Sequence, residues 1–256
     1  MPHTRRPVMA GNWKMYKTAS ETFAFFEAFK PLVAGSGHCD IVICPAFVNL
    51  AAAVHAAYGA RIEIGGQNLF WEKEGAYTGE ISGPMLAAVG CRWVIIGHSE
   101  RRQYFHETDE SVLKKTVAAL EVGLKPIVCV GELLQEREAG QTEAVLVRQF
   151  AKGIAGLGPE EFAAIVVAYE PVWAIGTGKT ATPEIAAEAH AILRAQARQA
   201  FGESAAGALR ILYGGSVKPS NVQGLMTQEE IDGTLVGGAS LDAASFGAIV
   251  NYPSSE

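Results

Sequence analysis

The sequence has few cysteines and no long apolar run, and both absences restrict what the protein can be. Only four of its 256 residues are cysteines, and no two of them have the C-x-x-C spacing of a metal or redox site. We therefore predict that all four are buried, reduced thiols. No segment approaches the roughly 18 apolar residues of a membrane-spanning helix. The pair Arg5-Arg6 is not followed by the apolar run of an export signal. We expect a cytoplasmic protein with no membrane partner.

The sequence also lacks an excess of positive charge. Its formal net charge is −6, which argues against a nucleic-acid surface, because such a surface needs a basic patch. An anionic substrate would have to be bound by local groups, since the overall charge repels it. No linker, charge block or low-complexity tract interrupts the chain, and 49% of its residues are hydrophobic. We predict one domain covering residues 1–256.

Short apolar runs alternate with amphipathic stretches from one end of the chain to the other. Most runs are near-continuous rather than alternating, as is typical of parallel strands covered on both faces. Eight such runs predict either an open doubly wound sheet or a closed α/β barrel, and eight is the strand number of the (β/α)8 barrel. The predicted strands cover residues 8–10, 41–43, 62–64, 93–96, 126–130, 165–168, 210–213 and 234–236.

Helix signals lie between these runs. Thr18 and Glu21 have the spacing of a capping box, and the apolar positions from 22 to 33 then form one helical face. Thr182-Pro183 predicts an N-cap followed by proline in the first turn, with Gly202 closing that helix.

Polar residues cluster directly after the predicted strands, and this placement favours the barrel. In a barrel, all turns that follow strands meet at one face, where the catalytic site lies, whereas an open sheet would spread them along an edge. We therefore predict a single (β/α)8 barrel of the α/β class. The clustered residues are Asn12, Lys14, Gln67, Asn68, His98–Arg101, Glu132, Glu170, Gly214–Ser216, Gly237 and Gly238.

The segment after Glu170 is typical of a mobile lid. It begins with Pro171, contains the apolar Trp173 and Ile175, which we expect to be exposed, and carries two glycines. A rigid middle between small or polar ends suits a lid over residues 171–181. Such a lid would exclude water beside the carboxylate of Glu170 and raise its basicity.

The glycines of this segment also fit a dinucleotide-binding fingerprint, at Gly176, Gly178 and Ala181. A Rossmann fold would then require an acidic residue at the end of the next strand, which ends at Tyr213 instead. A Walker A loop would require a glycine at position 173, which is tryptophan. We therefore predict no nucleotide cofactor.

Paired glycines after the last two strands predict a phosphate site. Gly215-Ser216 and Gly237-Gly238 occupy the positions at which barrel enzymes bind phosphate through backbone N–H groups and a helix N-terminus. His98 precedes a segment that can open a short helix, whose positive end would keep its imidazole neutral.

These groups together suit one class of reaction. A carboxylate base, a hydrogen-bonding histidine, the cation of Lys14 with its polar neighbour Asn12, and a phosphate site suit proton abstraction next to a carbonyl. The sequence shows no nucleophile–base pair, metal cluster or cofactor lysine, so we expect no metal and no cofactor.

Four motifs, in order over almost the whole chain, resemble the signatures of the triosephosphate isomerase family. They are AGNWKM at 10–15, GHSERR at 97–102, AYEPVWAIGTG at 168–178 and YGGSV at 213–217. The resemblance implies an isomerase that interconverts dihydroxyacetone phosphate and D-glyceraldehyde 3-phosphate through an enediolate, in glycolysis and gluconeogenesis.

The resemblance also implies a role for each site residue. Glu170 is the base, His98 the neutral electrophile, and Lys14 and Asn12 are catalytic residues that also contact substrate, with Glu100 supporting Lys14. The segment 67–81 is a homodimer loop from which Thr78 reaches the partner's site, although Phe70-Trp71 is bulkier than the family's pattern. The implied phosphate ligands are Gly176, Ser216, Gly237 and Gly238.

Two alternatives remain beside this interpretation. One is another phosphate-binding barrel, such as a different sugar isomerase; a Schiff-base aldolase would require a lysine within a strand, and no convincing one is present. The other is a barrel scaffold that has lost activity. That alternative would be favoured by a replacement at Lys14, His98 or Glu170, and all three are in place.

Overall fold

The computed structural model describes residues 5–175 and 181–253, and this part of the chain contains eight strands. They are β1 (Val8–Asn12), β2 (Asp40–Cys44), β3 (Ile62–Gly66), β4 (Trp93–Ile96), β5 (Lys125–Val130), β6 (Val166–Tyr169), β7 (Arg210–Tyr213) and β8 (Gly233–Val236).

The eight strands form one closed parallel barrel in sequence order. Closure is made between the first and last strands, where Val8 of β1 pairs with Gly233 of β8. Every neighbouring pair is parallel, so all carboxyl ends lie at one end of the barrel. The predicted (β/α)8 barrel is confirmed.

The near-continuous apolar runs reflect burial on both faces of the strands. One set of strand side chains, including Val42, Ile95 and Ala168, forms a cluster inside the barrel. The alternate set, including Ile41, Val94 and Val167, packs in a larger cluster with the surrounding helices. Because adjacent side chains point to opposite faces, both sets must be apolar in a sheet covered on both sides.

Helices alternate with the strands and cover the outside of the barrel. In the described residues they are α1 (Ala19–Val33), α2 (Leu50–Ala57), α3 (Gly83–Val89), α4 (Ser99–Tyr104), α5 (Asp109–Glu121), α6 (Leu134–Glu138), α7 (Thr142–Gly153), α8 (Pro159–Ala163), α9 (Pro183–Phe201), α10 (Glu203–Ala208), α11 (Val222–Met226) and α12 (Ala243–Val250). Short 3-10 helices occur at Phe47–Asn49, Val172–Ala174 and Gly238–Leu241.

The predicted caps are present where the sequence indicated them. Thr18 and Glu21 form a capping box at the start of α1. Thr182 accepts a hydrogen bond from the N–H of Ile185 and caps α9, which has proline in its first turn. Gly202, with φ of +87°, ends α9.

The four cysteines are free and buried, as predicted. Burial raises the pKa of the Cys39 thiol to about 12 and that of Cys91 to about 11. These thiols therefore stay protonated at neutral pH. In the part of the chain that the structure describes, no helix has both the length and the apolar character needed to cross a membrane.

Candidate active site

A cavity of about 410 Å³ opens at the carboxyl ends of the strands. It brings together residues that follow β1, β4, β6, β7 and β8, as expected for the mouth of a barrel. Thr78 lies outside it, exposed on the segment after β3. The predicted residues that line the cavity are Asn12, Lys14, His98, Glu100, Glu170, Ser216, Gly237 and Gly238.

Glu170 follows β6 directly, and its carboxylate is almost fully buried, with 2% of the residue exposed. Its Oε2 accepts the backbone N–H of Ser99 at 2.9 Å, and its Oε1 lies 3.3 Å from the Ser99 hydroxyl. Oε1 is also 2.9 Å from Nε2 of His98. Burial raises the pKa of Glu170, but His98 and the Ser99 N–H together hold it below its ordinary value. Glu170 is therefore ionised at neutral pH.

His98 is the N-cap of α4, and its two ring nitrogens have different partners. Nδ1 accepts the backbone N–H of Glu100 at 3.2 Å, so a ring proton belongs on Nε2, which faces Glu170. Burial lowers the pKa of His98, but the carboxylates of Glu170 and Glu100 raise it above its ordinary value. A neutral ring with hydrogen on Nε2 satisfies both hydrogen bonds.

Lys14 is held in an unusual backbone conformation that directs it into the cavity. Its φ is +52°, in the left-handed region, which costs a residue with a side chain about 1–2 kcal/mol. The side chain of Asn12 accepts the Lys14 N–H at 3.0 Å, and Gln67 donates to the Lys14 carbonyl at 2.8 Å. The ammonium lies 2.5 Å from Oε1 of Glu100. Side-chain hydrogen bonds on both backbone groups of Lys14 thus maintain the strained geometry.

The turns after β7 and β8 leave their backbone open to the cavity. A 3-10 helix begins at Gly238, and a Cβ on Gly238 would meet no atom within 4 Å. The carbonyl of Ser216 accepts a hydrogen bond from Asn221 at 3.0 Å, which fixes the neighbouring turn. An anion could therefore approach N–H groups at this end of the barrel. Gly176, the remaining predicted phosphate ligand, lies outside the described residues.

The prediction that Trp173 and Ile175 are exposed is wrong, because Trp173 is buried and Ile175 is half-buried. Trp173 is 9% exposed, and its indole N–H donates to Oε1 of Glu132 at 2.9 Å. The same oxygen accepts from the hydroxyl of Tyr169 at 3.1 Å, and Arg137 lies 3.3 Å from it. Burying an indole is favourable when its N–H has a partner, and the fully buried carboxylate of Glu132 provides one.

Sequence reasoning gave no role to Glu132, Ser99 or Lys218. The first was recognised only as a polar residue after a strand, and Ser99 only as part of the segment after His98. Lys218 lines the cavity from the turn after β7, and no motif signalled it. Across residues 5–175 and 181–253, no group of three or more His, Cys, Asp or Glu side chains is arranged to hold a metal ion.

Comparison with known proteins agrees with this geometry. The family model described as triosephosphate isomerase matches residues 7–253. A protein named triosephosphate isomerase from Solibacter usitatus is 70% identical over 97% of this chain and 100% of its own length. One of that name from Moorella thermoacetica is 58% identical over 97% of this chain and 99% of its length. The crystal structure of triosephosphate isomerase from Bartonella henselae is 40% identical, covers 95% of this chain and 97% of that chain, and superposes with a TM-score of 0.86. The chain therefore belongs to the triosephosphate isomerase family and is an isomerase.

Proposed function

We propose that the chain interconverts dihydroxyacetone phosphate and D-glyceraldehyde 3-phosphate in the cytoplasm, with Glu170 as the base. The observation that carries this assignment is the buried, ionised carboxylate of Glu170, 2.9 Å from Nε2 of His98 in a cavity that also holds Lys14. Such a carboxylate can take a proton from a carbon next to a carbonyl and return it to the neighbouring carbon. The relatives support an isomerase rather than another phosphate-binding barrel or a silent scaffold.

In the first step, Glu170 leaves Ser99 and His98 and removes a proton from the substrate carbon. The electron pair of the broken C–H bond forms a carbon–carbon double bond, and the carbonyl oxygen becomes the negatively charged oxygen of an enediolate. His98 donates its Nε2 proton to that oxygen and takes the proton of the adjacent hydroxyl. Glu170 then returns its proton to the second carbon, so no external acid, base or oxidant is consumed.

The movement of Glu170 also favours the neutral form of His98. The nearby carboxylate of Glu170 raises the pKa of His98, while burial and Lys14 lower it. Once the carboxylate turns to the substrate, its raising effect weakens, and burial continues to disfavour the imidazolium. Neutral imidazole can then donate a proton and accept another at the same nitrogen.

Lys14 and the glycine turns account for the charged parts of the substrate. The ammonium of Lys14 stabilises the developing enediolate charge, with Asn12 maintaining its backbone geometry and Glu100 its orientation. The phosphate binds to N–H groups near Ser216, Gly237 and Gly238, together with Gly176. The phosphate oxygens thereby exchange hydrogen bonds from water for hydrogen bonds from fixed backbone N–H groups.

The chain is one barrel domain with a lid at about residues 171–181. The hydrogen bond from Trp173 to Glu132 and the short 3-10 helix Val172–Ala174 support a rigid first section for this lid. Closure would exclude water from the enediolate and prevent its loss of phosphate.

The protein acts as a homodimer through the segment 67–81. Exposed apolar side chains in the segments after β1, β2, β3 and β4 support this assignment, because these neighbouring strands place them on one side of the barrel mouth. A monomer rarely exposes so many large apolar groups together. Thr78, on the same side, would reach the partner's site. The exposed side chains are Met15, Val48, Tyr77, Met85, Tyr104 and Phe105.

The assignment is tested by triose phosphate turnover with purified protein, without added metal or nucleotide. We expect turnover in both directions, and a folded protein without turnover would refute the assignment.

Glu170→Asp withdraws the carboxylate by one methylene, and we expect kcat to fall about 100-fold or more, because misplacement by about 1 Å has that effect. Glu143→Asp, the same change at an exposed position on α7, is the matched control and leaves kcat unchanged. A kcat of the Glu170→Asp protein equal to that of the control would remove Glu170 from the base role.

A further inference from the structure

A second cavity, of about 460 Å³, lies behind Glu170 on the side away from the phosphate turns. Glu170 is among the residues that line both cavities. Ser99, Gly131 and Gln149 also line the second cavity. Packing is therefore absent on one side of the turn after β5, next to the main chain that carries the catalytic carboxylate.

Gln149 of α7 compensates with two hydrogen bonds to a single residue. Its Oε1 accepts the backbone N–H of Gly131 at 2.8 Å, and its Nε2 donates to the carbonyl of Gly131 at 3.1 Å. The side chain thereby pairs with both backbone groups of the residue that follows β5, as a neighbouring strand would. Gln149 is buried, so little of its side chain is exposed to water.

Gly131 is in direct contact with the main chain of Glu170. A Cβ built on Gly131 would lie 1.8 Å from the carbonyl oxygen of Glu170, so only glycine fits. The preceding residue, Val130, accepts the backbone N–H of Glu170 at 2.8 Å. Any shift of Gly131 is therefore transmitted to the backbone of Glu170.

We propose that Gln149 is a positioning residue for the isomerase reaction. By fixing Gly131, its amide sets the position of the Glu170 backbone and hence the reach of the carboxylate toward the substrate carbon. Gln149 itself touches neither substrate nor phosphate turns. This inference rests on the proposed role of Glu170 as the base.

The first test is Gln149→Met, which keeps an unbranched side chain of similar length and removes both hydrogen bonds. We expect kcat to fall about 10-fold or more while KM changes less than about 2-fold, since a displaced base slows the chemical step and leaves the phosphate site intact. Val145→Ala is the control: it removes a buried side chain from the same helix and destabilises α7. It should leave kcat within about 2-fold of the unmodified protein.

The second test is Gln149→Glu, compared with the unmodified protein between about pH 8 and pH 6. The ionised carboxylate accepts the Gly131 N–H but repels the Gly131 carbonyl. Burial raises the pKa of a carboxyl group, and the protonated acid regains a donor as well as an acceptor. We expect the ratio of its kcat to that of the unmodified protein to rise as the pH falls, whereas the ratio for Gln149→Met stays flat.

The outcomes separate this inference from the proposed function. An inactive unmodified protein refutes the function itself. An active unmodified protein with Gln149→Met indistinguishable from Val145→Ala refutes only the positioning role. A loss in Gln149→Met confined to KM, or a pH-independent ratio for Gln149→Glu, also refutes it. If Gln149→Met does not fold, the pH dependence of Gln149→Glu decides alone.

Discussion

His190 is a histidine that the fold keeps without charge. Its ring on α9 is fully buried against the edge of Tyr169, with centroids 5.8 Å apart. Nδ1 lies 3.0 Å from the carbonyl of Glu230 and must donate to it, so the proton of the neutral ring is on Nδ1. Burial lowers the pKa of His190 to about 3. Protonation would place an uncompensated charge inside the protein.

This burial predicts a loss of stability in acid. Below the ordinary pKa of about 6.5, the unfolded chain binds a proton at His190, whereas the native protein does not bind one there until the pH falls to about 3. The free energy of unfolding should therefore fall by about 1.4 kcal/mol per pH unit in that window from this group alone. His190→Asn keeps a donor for Glu230 and removes the titrating ring, so its stability curve should be flatter by that slope.

The measurement is urea unfolding at pH 7, 6 and 5, at one protein concentration. His55→Asn is the control, because it makes the same change at an exposed position near the end of α2. Parallel stability curves for His190→Asn and the unmodified protein would contradict the prediction.

The sequence identified the residues at the mouth of the site better than the contacts among them. Glu170, His98 and Lys14 follow strands, and a parallel barrel brings such residues together whatever their separation in the chain. Trp173 and Glu132 are 41 residues apart, and their hydrogen bond depends on side-chain directions that no local pattern encodes. No local pattern predicts the hydrogen bonds of Gln149 to Gly131 either, because the sequence around Gln149 is that of an ordinary helix.

At the scale of elements, local chemistry predicted the ends and faces of helices better than the ends of strands. The predicted face of α1 is the buried one, comprising Thr22, Phe25, Phe26, Phe29 and Val33. The predicted sixth strand, 165–168, is found at Val166–Tyr169, a shift of one residue. Strand ends are set by pairing with neighbours rather than by the residues alone, which explains the shift.

Closure of the barrel depends on a glycine in the last strand. Gly233 has φ of +138°, and a Cβ at this position would lie 2.0 Å from the carbonyl oxygen of Val8. Gly233→Ala therefore combines backbone strain with a clash against β1, and we expect it to cost about 3 kcal/mol or more of unfolding free energy. Urea unfolding at neutral pH measures the change.

Gly202→Ala separates the two effects. Gly202 also has a positive φ, +87°, but a Cβ there meets no atom within 4 Å. Strain alone predicts a cost of about 1 kcal/mol. If alanine at Gly202 and at Gly233 lowers the free energy of unfolding equally, the contact between β1 and β8 does not restrict position 233.

At the scale of the whole molecule, one side of the barrel mouth carries aromatic and other apolar side chains. The segment 67–81 carries a cluster of tilted aromatic rings, in which the ring centroid of Phe70 lies 4.2 Å from that of Trp71 and 4.6 Å from that of Tyr77. The bulky Phe70-Trp71 pair therefore packs within its own loop. The loop lies beside the exposed apolar groups of the mouth, such as Met15. Because its own rings already hold it in one conformation, binding to a second copy of the chain does not require the loop to become ordered.

Val48 tests whether this side of the barrel holds two copies together. It is 85% exposed after β2 and outside the catalytic cavity, so Val48→Glu places a charge in the proposed interface without altering the site. Sedimentation at micromolar concentration should give a dimer for the unmodified protein and a monomer for Val48→Glu. The kcat of the variant should fall about 10-fold or more, because Thr78 of the segment 67–81 no longer reaches the partner's site and that site loses a group that completes it. Tyr58→Glu is the matched control: Tyr58 is 86% exposed at the end of α2, before β3 and thus at the opposite end of the barrel. It should remain dimeric and fully active, and dissociation of both variants or of neither would show that the interface lies elsewhere.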